Sequence, residues 1–169
     1  FRLEYPAVCD TGDRYVIRTY SPQVTIGGGV IIEPRAAKVK GFDEHLIEHL
    51  QKIETQDPLV IVAEELRLSF DLPRRIDEIA HDVNLAVANV QQIIKELVDK
   101  NEVIVVDEKR GFYYSRNNFS KLCQMILNIL TEYHKKNPTH VGMQRIQVAT
   151  SVSRGIDNTL FSFCLEKMV

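Results

Sequence analysis

The chain contains no tryptophan, three cysteines and three methionines in 169 residues. Nor does it contain an apolar run near the roughly 20 residues that a membrane-spanning helix needs. The cysteines, Cys9, Cys123 and Cys164, are odd in number and far apart in sequence, which argues against a disulfide framework. They read as small buried hydrophobes in a reducing compartment. The opening Phe1-Arg2-Leu3-Glu4-Tyr5-Pro6 has no initiator Met and neither signal-peptide nor transit-peptide character, so the chain reads as a piece of a longer, cytoplasmic protein.

Catalytic chemistry is also missing. The triple glycine Gly27-Gly28-Gly29 is not followed by the lysine and hydroxyl that a phosphate-binding loop requires. His45-Leu46-Ile47-Glu48-His49 fits the H-x-x-E-H spacing of a zinc peptidase. On a helix, however, His45, Glu48 and His49 would share the side that carries Lys52, opposite an apolar stripe of Leu46, Ile47, Leu50 and Ile53. That is the solvated side of an amphipathic helix, without a cleft. Asn118-Phe119-Ser120 fits a glycosylation pattern, but nothing indicates secretion. No catalytic, cofactor-binding or metal-binding set is legible.

What is present is globular: 44% hydrophobic and 26% charged residues with a net charge of −2. Charge is unevenly spread. Residues 1–40 carry 6 basic and 4 acidic side chains, 41–116 carry 9 and 16, and 117–169 carry 6 and 3. Nucleic-acid affinity comes from cations that displace counterions on phosphates, so the middle block, at −7, is a poor broad-face binder.

The first 34 residues read as strands. Arg14–Tyr20 is β-branched and aromatic, Ser21-Pro22 breaks it, and Gln23–Ile32 forms a second extended segment around the glycines. Three glycines in a strand suggest a bulge, a bend at a barrel corner or the close approach of another backbone. So short a segment cannot close a barrel. A basic connector with Arg35, Lys38 and Lys40 follows, and the apolar period then changes from two to about 3.6. One helix is expected behind Asp43, a second behind Asp57-Pro58, and a helix–turn–helix pair over 76–98 broken at Asn84. Val103–Val106 and Phe112–Tyr114, flanking Asp107–Gly111, read as a β-hairpin. Helices closed by a hairpin define a winged helix.

The pattern then restarts. A long helix carries Leu122, Ile126, Ile129 and Tyr133 and stops near Asn137-Pro138. Ile79, Ala80, Val83 and Val87 match Val148, Ala149, Val152 and Ile156 at an offset of 69, and Val90, Ile93 and Val98 match Leu160, Phe163 and Met168 at 70. The expected architecture is therefore α+β, mainly α. A short β-barrel remnant with connector (1–40) precedes tandem winged helices at 41–116 and 117–169, the second without its wing. Candidate nucleic-acid contacts are Arg35, Lys38 and Lys40, Lys109 and Arg110 at the wing tip, and Arg145 and Arg154 in the second module. The first module's third helix presents a charge-balanced set, Gln91, Gln92, Lys95, Glu96, Asp99 and Lys100.

Gly12-Asp13-Arg14-Tyr15-Val16-Ile17-Arg18-Thr19-Tyr20-Ser21-Pro22, followed by Thr25-Ile26-Gly27-Gly28-Gly29-Val30-Ile31, resembles the end of the third domain of translational GTPases. Among these it is most similar to the selenocysteine-specific elongation factor (SelB) family. Tyr133–Pro138 with Gly142-Met143 looks like that family's entry into its second winged helix. The resemblance implies a parent whose first three domains are like those of elongation factor Tu. Such a parent binds GTP and Mg and carries selenocysteinyl-tRNA to the ribosome. Its winged-helix tail holds an mRNA hairpin (SECIS) beside a recoded UGA codon. In that setting this segment needs no cofactor, catalyses nothing, is a monomer away from membranes, and serves as a spacer and RNA- or ribosome-facing platform. A DNA-binding winged-helix regulator is the alternative, disfavoured by the acidic first module and the preceding barrel strands. Metal analysis of the purified chain is expected to find no stoichiometric zinc; one zinc per chain would revive the H-x-x-E-H reading.

Overall fold

The computed structural model describes residues 3–34, 41 and 44–168, without the side chain of His45. Contacts divide the chain into two units, Phe1–Gln56 and Asp57–Val169.

In the first unit, β1 (Arg14–Arg18) and β2 (Thr25–Val30) pair antiparallel. Thr19 closes the connection: its N–H donates to Val24 O at 2.9 Å, and its hydroxyl oxygen accepts from Val24 N–H at 3.0 Å. Two of the anticipated glycine roles are found. Ile26 is an extra residue between the Ile17–Gly27 and Arg18–Thr25 pairs, a bulge. Close approach is found at Gly28, where a Cβ would sit 2.5 Å from Tyr15 O, and at Gly29, where it would meet the Tyr15 hydroxyl at 2.8 Å and its ring at 3.0 and 3.1 Å. No closed barrel forms among the described residues.

Helix α1 (Glu44–Glu54) belongs to this first unit, although the periodicity had grouped residues from 41 onward with the first winged helix. Its inward face also differs from expectation. His49 is buried, while Ile47 is 37% exposed and Glu48 pairs with Lys52 at 2.9 Å. Leu46, His49, Leu50 and Ile53 follow the i, i+3, i+4, i+7 spacing of a core-facing stripe. The cap expected at Asp43 lies outside the described residues.

The second unit begins with α2 (Pro58–Leu68). Asp57 caps it, one carboxylate oxygen accepting from Leu59 N–H at 2.9 Å, and Pro58 fits the first turn. β3 (Arg74–Arg75) leads into α3 (Ile76–Asp82). Asn84, at φ 54°, makes the turn to α4 (Val87–Asp99). β4 (Val103–Asp107) and β5 (Phe112–Ser115) form the hairpin, and the sheet order is β3-β5-β4. This is a winged helix. Ser115, the last residue of β5, is also the N-cap of α5 (Arg116–Lys136), so no linker separates the modules. α6 (Arg145–Val152) and α7 (Asn158–Met168) follow, the latter capped by Asp157, whose carboxylate accepts from Thr159 and Leu160 N–H at 2.8 and 2.9 Å. α6 and α7 repeat α3 and α4 at the offsets read from the sequence, with Ile79 and Val148 buried alike, as are Val90 and Leu160. Among the described residues, no helix is long and apolar enough to cross a membrane.

Two apolar cores fill the unit, and the β4–β5 hairpin lies between them. Val103 belongs to the first, with Val62, Leu66, Val90 and Leu97; Tyr113 packs against it. Ile104 and Tyr114 belong to the second, with Leu122, Ile126, Leu160 and Phe161; Val106 packs there. Successive strand residues point to opposite faces, so each residue step along the hairpin alternates between modules. Polar bonds add to the seam. The side-chain amide of Asn118, 2% exposed, donates to Arg67 O at 2.7 Å and Leu66 O at 3.4 Å, carbonyls that the end of α2 leaves without helical partners. The Tyr114 hydroxyl donates to Phe70 O, and Asp157 N–H to Asp71 O at 2.9 Å. Asn118→Ala is expected to lower the stability of the unit by about 1–3 kcal/mol, the cost of orphaned buried carbonyls. Urea denaturation should show this as one displaced transition covering both modules.

Candidate nucleic-acid interface

Of the seven candidate cations, Arg35, Lys38 and Lys40 lie outside the described residues. The other four do not form one patch. Lys109 and Arg110 occupy the exposed tip of the hairpin, where tight-turn geometry falls to Gly111 at φ 66°. Arg110 is held by Asp107: its N–H donates to one carboxylate oxygen at 3.1 Å and its guanidinium lies 3.7 Å from the other. Arg145 and Arg154 sit at opposite ends of α6. The Arg145 guanidinium donates to Ser162 Oγ and lies over the Phe161 ring, 5.7 Å from its centroid, so it roofs the second core as well as facing water. Arg154 is exposed in the turn between α6 and α7.

Several acids of the first module are engaged internally, although its net charge stays negative. Arg74, between β3 and its neighbouring helices, contacts Glu65 at 3.1 Å, Glu78 at 3.5 Å and Asp82, and its guanidinium donates to Ser69 Oγ at 3.0 Å. Burial opposes the charge on Arg74, and bonding to Asp82 with the field of three carboxylates more than offsets it. Hydrogen bonds from His81 and Arg74 hold the Asp82 carboxyl below its ordinary range. Buried Glu64 is forked by Arg67. On α4 the expected polar side chains are exposed, and Lys100 bonds Glu96 at 2.7 Å. The hairpin is packed on both faces at its base, where Val103, Ile104, Tyr114 and Ser115 are buried; Val105–Asp107 and Phe112–Tyr113 are partly exposed, and Lys109 and Arg110 at the tip are exposed. One signal could have shown this. Val103–Val106 is an unbroken apolar run, the mark of a strand covered on both sides.

The cysteines remain thiols. Cys164 is fully buried, while Cys9 and Cys123 are half-buried, so only one of the three matches the expected burial in full. Cys123 and Cys164, far apart in sequence, both pack in the second core. Burial pushes the Cys164 thiol up to about 12, reinforced by Cys123, and raises Cys123 as well. Burial also raises the Tyr114 hydroxyl.

A three-helix bundle closed by a sheet of order β3-β5-β4, followed without a linker by a second bundle that repeats its helices, defines this unit as a winged helix fused to the helical part of another. Comparison with known proteins adds two similarities. Residues 127–169 match the family model described as "Elongation factor SelB, winged helix". Across 94% of its length the chain is 27% identical to the selenocysteine-specific elongation factor of Desulfomicrobium baculatum. Both similarities are to the family that the barrel-end string and the Tyr133–Met143 segment resemble. The chain spans about a quarter of the length of that relative.

Because Cys164 stays protonated in the fold at pH values where an unfolded thiol ionises, the folded state binds the extra proton. The Cys164 contribution to stability is therefore expected to be fully present below the ordinary thiol range, about pH 8.5, and to be lost as pH rises toward about 12. Thermal unfolding across that range would register it, and Cys164→Ala, though less stable overall, should reduce the slope. Iodoacetamide at neutral pH should spare Cys164 until the protein is unfolded.

Proposed function

We propose that the chain is a segment of a selenocysteine-specific translation elongation factor, in which the fused winged helices act as a rigid spacer. The carrying observation is its similarity to such a factor over nearly its entire length, with barrel-like strands and winged helices in the family order. In this reading, residues 1–40 end the barrel of a tRNA-carrying body and contribute the connector. Residues 41–116, of which α1 groups with the first unit, and 117–169 are the two modules. The parent protein binds GTP with Mg, carries selenocysteinyl-tRNA to the ribosome, and engages an mRNA hairpin beside UGA through parts beyond this chain. It works in the cytoplasm, and this segment carries no catalytic step.

The spacer role is supported by the shared hairpin, which leaves no hinge between modules, and by the internal pairing of the first module's acids. Lys109, Arg110, Arg145 and Arg154, with Arg35, Lys38 and Lys40, remain the proposed contacts to RNA or ribosome. A DNA-binding regulator is not favoured, since the matches point to translation factors and the third helix of the first module is charge-balanced.

The test is complementation. The whole reading frame encoding this chain, placed in a cell lacking its own selenocysteine factor, should restore full-length product from a reporter with an in-frame UGA and its hairpin. Deleting the segment for residues 57–169 should abolish that product while leaving GTP binding intact. Failure of the whole reading frame to restore UGA decoding would contradict the proposal.

A further inference from the structure

Charge in the second unit is segregated more sharply than the module boundary suggests. Residues 57–108 carry 12 acidic and 5 basic side chains, net −7, whereas 109–156 carry 8 basic and 1 acidic, net +7. The lone acid of the second segment, Glu132, is paired to Lys135 at 2.8 Å. The change of sign falls at the wing tip, so the positive segment comprises the tip, α5 and α6.

α5 carries two of these cations, Lys121 and Lys135 (the latter paired to Glu132), on one polar line. Asn117, Lys121, Gln124, Asn128, Thr131 and Lys135 are all exposed and recur at alternating spacings of four and three. That places them on one stripe of the helix, about 27 Å long at 1.5 Å per residue. The opposite stripe holds Leu122 and Ile126, both fully buried. The ridge contains no acid and no aromatic ring. It offers ammonium groups and side-chain amides, with Gln124 and Asn128 aligned by a hydrogen bond of 3.0 Å. Lys121 makes no ion pair among the described residues. Ammonium and amide donors bond phosphate and ribose oxygens without reading bases. Base recognition would call for stacking rings, which are absent from this stripe.

We infer that the solvent ridge of α5 is a contact surface for the phosphate–ribose backbone of duplex RNA. Complementarity of charge commits it to a polyanion, and the row of amides, which accept as well as donate, suits the 2′-hydroxyls of an RNA duplex. The acidic segment 57–108 then faces the same polyanion unfavourably and fixes which side of the unit approaches. This surface is distinct from the wing tip and the α6 arginines. It goes beyond the translation-factor reading and stands or falls without it.

The test is fluorescence anisotropy of the 169-residue chain with a fluorescein-labelled RNA duplex of about 20 base pairs. At physiological salt the chain should bind in the non-specific range, on the order of 10⁻⁴ to 10⁻⁶ M, and more tightly as salt is lowered. Lys121→Gln with Lys135→Gln should weaken binding about tenfold and reduce the slope of log affinity against log salt by about 1.4–1.8, at roughly 0.7–0.9 per phosphate lost. Lys95→Gln on α4 should change it less than twofold. Gln124→Glu, which places an acid at mid-ridge and keeps a good helix former, should weaken binding with the circular dichroism spectrum unchanged. No RNA binding by the wild-type chain, equal losses from the α4 variant, or stronger competition by polyglutamate than by unlabelled RNA would overturn the inference. Because UGA decoding is not read, this outcome is separate from the complementation result.

Discussion

The second unit depends on one hairpin being buried on both faces. In a free-standing winged helix the β4–β5 wing covers the module's own core on one side and meets solvent on the other. Here Val103 and Tyr113 close the first core while Ile104 and Tyr114 are part of the second. A small module of roughly 60 residues buries too little surface to be robust alone, and a shared wall removes two solvent faces at once. Asn118 and Tyr114 then satisfy carbonyls at and after the end of α2, so the seam is specified by hydrogen bonds as well as by apolar area. Neither module can rotate against the other without exposing Ile104 or orphaning those carbonyls.

This arrangement bears on what the wing is free to do. Where a wing hairpin is exposed, its strands can lie against a nucleic-acid backbone. Packed on both faces, it leaves only the Lys109–Arg110 tip, with Arg110 tethered to Asp107. A body that spends its wing on its neighbour is suited to holding a distance, as the proposed spacer role requires. A further grip on nucleic acid would come from elsewhere, such as the polar ridge of α5.

Much of the fold was legible from residues. Asp57-Pro58, Asn84 and the β-branched run from Val103 fixed the elements of the first module, and the offset of 69–70 correctly aligned α3 with α6 and α4 with α7. Three features escaped. The α1 stripe was read with Ile47 inward because isoleucine is the more apolar side chain, yet helix geometry turns His49 inward. The pairing of acids on Arg74 is tertiary: Glu65 and Asp82 come from two helices that only the fold brings together. The charge boundary at 108/109 was blurred by dividing the chain after residue 116, which placed the cations of the wing tip and Arg116 among the acids. The site was the least legible part, since Arg145 and Arg154 stood out by sequence position, whereas the α5 ridge becomes visible only once its buried face is known.

The central claim is that residues 57–168 are one rigid body with the hairpin as its internal wall. Residual dipolar couplings of backbone amides test it directly. If the claim holds, couplings from α2–α4 and from α5–α7 fit a single alignment tensor of the same magnitude and orientation. Two tensors differing in magnitude, the signature of modules that reorient independently, would contradict it.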